Sequence, residues 1–171
     1  MSTLNIAYGS YTALTVTNLQ SLANDATSPF GAWQSARVDN QSSVKADDFE
    51  VVISLPMANT APANDQAVYV YVIPWVTTDG GTTWIPGANL GTTTAPTGSE
   101  GTASIVDPNA MRVVTLPYPT QNMTVNGYLS IAALFGGLVP DAWSVAIRNC
   151  SGAALSTSCV VSYRAVTYTQ A

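Results

Sequence analysis

Hydrophobic and polar positions alternate along this chain with a period of two, the repeat of a strand with one buried and one wet face. Phe49, Val51, Ile53 and Leu55 alternate with Asp48, Glu50, Val52 and Ser54. Trp143, Val145 and Ile147 alternate in the same way with Ala142, Ser144, Ala146 and Arg148. Further strands are predicted over 11–17, 33–39, 111–116, 128–135 and 159–168. Turn signals separate them: Ser28-Pro29, Asp79-Gly80-Gly81, Pro86-Gly87, Asp107-Pro108-Asn109 and Asn126-Gly127. Helical periodicity is nearly absent, with one short helical stretch expected over 18–24 that puts Leu19 and Leu22 on one side. About eight strands with almost no helix predict an all-β, single-domain, two-sheet antiparallel β-sandwich. A jelly roll is the first expectation and an immunoglobulin-like sandwich the alternative. The domain is expected to span 1–171.

The strand over 67–75 departs from simple alternation. Val68, Val70 and Val72 lie on one side, and Tyr69, Tyr71, Ile73 and Trp75 on the other. Two readings stay open. The strand is central and buried on both faces, or Tyr69, Tyr71, Ile73 and Trp75 form an interface that meets another subunit or a ligand. Tyrosine and tryptophan suit interfaces because each joins a large apolar area to a polar handle. Over 86–109 the composition shifts to Gly, Thr, Ala and Ser, too long a run for an ordinary connection. A long flexible loop is expected there, projecting or grasping a neighbour, and an extended N-terminal arm over 1–10.

Composition narrows the function. Hydrophobic residues make up 47% of the chain and charged residues only 9%, against roughly 25% in ordinary soluble domains. Either neighbours cover much of the surface, or Thr, Ser and Asn solvate it. The net charge is −5 and the five basic residues are scattered, so no stripe can follow a phosphate backbone and no nucleic acid is expected as a partner. No apolar run approaches the ~20 residues of a membrane-spanning helix, so no membrane is expected either. Met1-Ser2-Thr3-Leu4-Asn5 carries no signal-peptide pattern, which suggests folding in the cytosol of the cell that makes it. Cys150 and Cys159 flank a polar stretch. They read as a pair of reduced thiols or, if the stretch is a hairpin loop, as a disulfide across neighbouring strands.

Candidate chemistry is sparse. The chain has no histidine, which removes the usual Ser-His-Asp and Cys-His nucleophiles and most zinc sites. No phosphate-cradling glycine motif occurs, and no cofactor is expected. Asp48 and Glu50 share a strand face about 7 Å apart, within the range of a glycosidase pair. They read first as an ordinary solvated face, since a glycosidase pair flanks one bond from opposite walls of a cleft. Asp47, Asp48 and Asp79 could contribute to a calcium site, without a loop pattern behind it. Thr77-Thr78-Asp79-Gly80-Gly81-Thr82-Thr83-Trp84 resembles the Asp-box of sialidases and other propellers. It reads as turn chemistry: Asp79 bonds backbone N–H groups, Gly81 takes positive φ, and Trp84 tucks back onto the strand.

Several segments together resemble a group of small structural proteins of tailed phages. They are Leu19-Gln20-Ser21-Leu22-Ala23, Trp33-Gln34-Ser35-Ala36-Arg37-Val38-Asp39-Asn40, Val68-Tyr69-Val70-Tyr71 and the Asp79-Gly80-Gly81 turn, over 14–84 in all. Gly127-Tyr128-Leu129 and Trp143-Ser144-Val145 match in character. The resemblance implies a virion component made in the host cytoplasm: a capsid decoration (cement) protein, or another part of the head or tail surface. It also implies a β-sandwich assembling as a homotrimer, with the major capsid protein or other virion proteins as partners. The function expected is therefore non-catalytic and not that of an enzyme. The alternative is a carbohydrate-binding module or fibre component that binds a host glycan by stacking sugar on Trp33, Trp75 or Trp84.

Overall fold

The computed structural model describes residues 3–24, 31–41, 45–63, 66–87, 100–102 and 111–170. Strands β1 (Leu4–Tyr8), β2 (Thr12–Ala13), β3 (Gly31–Gln34) and β4 (Val38–Asp39) lead to the long β5 (Asp48–Pro56) and β6 (Ala67–Thr77). The short β7 (Trp84–Pro86) and β8 (Glu100–Thr102) follow, then β9 (Met111–Pro117) and β10 (Thr124–Ser130). One helical turn, α1 (Ile131–Leu134), precedes β11 (Ala142–Cys150) and β12 (Val160–Gln170).

All strand pairings are antiparallel. The first sheet runs β1-β12-β5-β10, with β2 also on β12; the second runs β7-β6-β11-β3-β8, with β9 on β6 and β4 on β11. Strands β1 and β2 lie end to end along β12, as β3 and β4 do along β11. Count each couple as one strand and set aside the short β7 and β8. The sheets then read 1-8-3-6 and 2-7-4-5, which is the jelly-roll order. An immunoglobulin-like sandwich keeps its first two strands in one sheet; here they lie in opposite sheets.

The core fills the space between the sheets. From the first sheet come Val51, Ile53, Leu55, Val125, Leu129 and Val161; from the second come Val68, Val70, Val72, Trp143, Val145 and Ile147. These are the inward halves of the period-two pattern. Phe49 and Tyr163 of the first sheet meet Trp143 of the second at ring-centroid distances of 5.4 and 5.5 Å, so aromatic contacts join the two layers.

Several expectations need correction. The strand over 33–39 is broken at Ser35, whose backbone N–H donates to Val145 O while its Oγ accepts from Val145 N. A side chain there replaces a backbone partner. The strand over 128–135 ends at Ser130, whose Oγ accepts from Ala133 N and caps α1. Asp48 braces this turn, accepting from Ser130 Oγ and Ala132 N, both at 2.7 Å. The helix over 18–24 is instead a single turn in which Leu19 and Gln20 donate to Val16 O; Ser21 has φ 60. Leu19 and Leu22 are buried nonetheless. Part of the predicted loop over 86–109 is strand: Pro86 ends β7, and β8 pairs with β3. Residues 88–99 and 103–110 lie outside the described residues. In the predicted N-terminal arm, Leu4–Tyr8 pairs along β12.

The cysteines do not face each other across a hairpin. β11 and β12 belong to different sheets, so the chain over 151–158 crosses between layers. Cys150 and Cys159 are buried thiols with no disulfide. Burial pushes the Cys159 thiol up to about 11, and its Sγ lies 3.4 Å from Ser156 O.

Candidate interaction surface

The outer faces of the two sheets differ. On the second sheet, Tyr71, Ile73 and Trp75 are 9%, 0% and 4% exposed. They form a second cluster with Ala32, Ala142 and Ala146, against which Tyr69 and Trp84 pack. Strand β6 is thus buried on both faces, and the residues expected to meet another subunit are packed within their own chain. Ser144 Oγ accepts from Gln34 Nε2 at 2.9 Å and from Trp75 Nε1 at 3.0 Å. The Arg37 guanidinium lies over the rings of Trp84 at 4.0 Å and Trp75 at 5.7 Å. Trp33 is in the main core. The three tryptophans offered as sugar platforms are therefore buried or covered.

The Asp79 turn closes the β6–β7 hairpin as its sequence indicates. Asp79 Oδ1 accepts from Thr82 N and Thr83 N at 3.1 and 2.7 Å, and Trp84 Nε1 donates to Gly81 O at 3.0 Å. Gly81 has φ 103. These bonds, those from Thr83 foremost, hold the Asp79 carboxyl down at about 2. The motif is spent on the turn.

On the outer face of the first sheet, Val166 and Asp48 are buried, but among the described residues most of the apolar side chains are uncovered. Leu4, Ile6 and Tyr8 of β1, Tyr11 ahead of β2, Tyr128 of β10, and Val160 and Tyr168 of β12 are all exposed there. Their placement follows from register: Tyr8 pairs with Val166, Arg164 with Glu50, and Ser162 and Tyr128 each with Val52. At the centre, the Arg164 guanidinium bonds Glu50 and lies 4.3 Å from the Tyr8 ring centroid and 4.9 Å from that of Tyr11. The Tyr128 hydroxyl donates to Glu50 Oε1 at 2.7 Å. Tyr11, Val52 and Ser162 line an open hollow of about 230 Å³. An apolar, aromatic surface around a held ion pair has the make-up of an interface core, where tyrosine and arginine are enriched.

This network decides what its carboxylates can do. Tyr128 first, and then Arg164, hold the Glu50 carboxyl below its ordinary 4.5 against an opposing push from burial. The bond to Glu50 in turn pushes Tyr128 up to about 12. A glycosidase acid needs a raised pKa, and Glu50 is shifted the other way, while Asp48 is committed to α1. Asp47 bonds Tyr168 N and Asp79 its own turn. Among the described residues no group of three or more His, Cys, Asp or Glu could hold a metal ion. No helix among them is long and apolar enough to cross a membrane.

The signs of these shifts give a pH test. A lowered Glu50 pKa contributes stability that is present above pH 4.5 and lost as pH falls through the lowered value. A raised Tyr128 pKa contributes stability that is present below pH 10.0 and lost as pH rises towards about 12. Glu50→Gln is expected to flatten the acid limb of a plot of Tm against pH, and Tyr128→Phe the alkaline limb. Wild-type limbs retained in both variants would show that the pair is not coupled to folding.

Sequence reasoning missed Tyr8, Tyr11, Tyr128 and Arg164. Alternation with inward positions marks Tyr128 and Arg164 as outward, whereas β1 and β2 are exposed throughout and give Tyr8 and Tyr11 no such mark. All four come from distant segments that only strand order makes neighbours. The chain matches no protein-family model and no curated protein.

Proposed function

We propose that this chain is a non-catalytic structural protein of a phage virion, a capsid decoration or cement protein that works by contact. Its partner is the major capsid protein or another virion protein, and its own assembly is a homotrimer. The observation that carries the reading is the open outer face of the first sheet, where tyrosines and aliphatic side chains surround the Arg164–Glu50 pair. Covering that face removes apolar area from water at ~25 cal/mol per Å². The repetition of such contacts over a shell makes small individual gains large. Low charge and the phage-like sequence segments point the same way.

Cosedimentation with expanded heads of the encoding phage tests this. Wild-type protein is expected to pellet with the heads, and the double variant Tyr11→Ser, Tyr128→Ser to bind at least about 30-fold more weakly, the scale of an aromatic hot spot. No pelleting of the wild type, or equal pelleting of the two, would sink the reading. A second reading, glycan binding, is favoured by the Tyr11–Val52–Ser162 hollow beside exposed tyrosines. Saturable tyrosine quenching by a glycan, without head binding, would put it first.

A further inference from the structure

Strand β1 is one of the two edge strands of the first sheet, β10 being the other, and all five of its residues are exposed. Gly9 N donates to Ala165 O at 2.9 Å, in step with the register that pairs Tyr8 with Val166 and Leu4 with Gln170. Alternate residues of an antiparallel strand turn their N–H and C=O to opposite neighbours. Asn5 and Ala7 therefore bond β12, while Leu4, Ile6 and Tyr8 present their backbone groups at an edge that no described strand covers. β5 pairs with β12 only as far as Val166, so beyond it β1 and the end of β12 form a two-stranded ribbon. Such a ribbon is marginal in water by itself. Edges that must stay single carry lysine, proline, an inward charge or a bulge. Leu4-Asn5-Ile6-Ala7-Tyr8 carries no charge and no proline, and its pairing to β12 runs without a bulge.

We propose that β1 pairs antiparallel with β1 of a second copy of this chain, across a twofold axis at Ile6. Strand polarity and spacing select that register. With Ile6 opposite itself, Leu4 stands opposite the partner's Tyr8, and Tyr8 opposite the partner's Leu4. All three outward-facing residues of each copy then meet outward-facing residues, giving about six main-chain hydrogen bonds. Shifting the strands by one residue in pairing leaves at least one of the three unpaired or sets it against a residue turned away. The side chains fit as well. Leu4 beside Tyr8 is an aliphatic–aromatic cross-strand pair, and Ile6 beside Ile6 an aliphatic one. No like charges meet, although each chain carries −5. The two exposed outer faces become one continuous surface across the axis.

The inference does not rest on the virion reading, and its test uses the purified chain alone. Sedimentation equilibrium is expected to give an even number of chains per particle: a dimer, or a hexamer if trimers also form. Ile6→Lys sets two ammonium groups against each other at the axis and is expected to halve the mass. Val76→Lys, at an exposed site on β6 of the other sheet, is expected to leave it unchanged. Ile6→Cys gives an independent readout, because paired residues of this kind have Cα atoms ~5.5 Å apart, within disulfide reach. Mild oxidation is expected to crosslink that variant and not Leu4→Cys, the native thiols being buried. A monomer or a trimer for the wild type overturns the proposal. So does an unchanged mass for folded Ile6→Lys, or a failure of Ile6→Cys to crosslink.

Discussion

Gly152→Ala is expected to lose at least about 3 kcal/mol of stability, from left-handed backbone strain and from overpacking. Gly152 has φ 85 in the crossing between β11 and β12. A Cβ there would sit 2.2 Å from Ala63 N and 2.6 Å from Ala63 Cα, so it meets backbone and not the end of a flexible side chain. Ala63 N donates to Ser151 O at 3.0 Å, and Gly152 N donates to Asn24 Oδ1 at 2.7 Å. The neighbouring Asn149 is buried and holds Leu22 O and Ala153 O through its Nδ2. Neither segment can withdraw without breaking these bonds. Since domains are stable by only about 5–15 kcal/mol, urea unfolding is expected to begin at much lower concentration, or folding to fail outright. An unchanged midpoint would mean that the two segments do not approach this closely.

Trp143→Ala is expected to cost about 3–5 kcal/mol, the range for removing a large buried aromatic side chain. Trp143 is fully buried and touches Phe49 and Tyr163 from the opposite sheet. Each such ring pair adds about 0.5–1.5 kcal/mol beyond its area. At about 2–4 °C per kcal/mol for a domain of this size, Tm is expected to fall by roughly 6–20 °C. Trp143→Phe is the informative companion. It keeps most of the ring contact and removes Nε1, which is buried without a hydrogen-bond partner, so it is expected to lose well under half as much. Equal losses for the two variants would locate the stabilisation in tryptophan's extra volume and not in the ring stack.

The inward halves of the strands were legible because one alternating segment carries the whole signal. Val51, Ile53 and Leu55, or Trp143, Val145 and Ile147, need no knowledge of their neighbours to be placed inside. The Asp79 turn was legible for the same reason, its bonds all lying within 77–84. The breaks were harder to see. Ser35 interrupts its strand by bonding Val145, which is 110 residues away in sequence. Ser130 looks like another outward strand residue until its hydroxyl caps α1 and bonds Asp48.

The interaction surface shows the same division. Tyr69, Tyr71, Ile73 and Trp75 have the composition of an interface, and the sequence marks their side of β6 as apolar, but it does not say what packs on that side. Tyr8, Tyr11, Tyr128 and Arg164 are outward positions scattered from one end of the chain to the other. By itself, the sequence determined an all-β sandwich, the inward positions of its long strands and its tight turn, because period-two burial and turn chemistry are local properties. Tertiary structure decided the jelly-roll order, the separation of the cysteines, which aromatic face is covered and which stays open. Those depend on which strands become neighbours, and residues far apart in the chain carry no local mark of the pairing that brings them together.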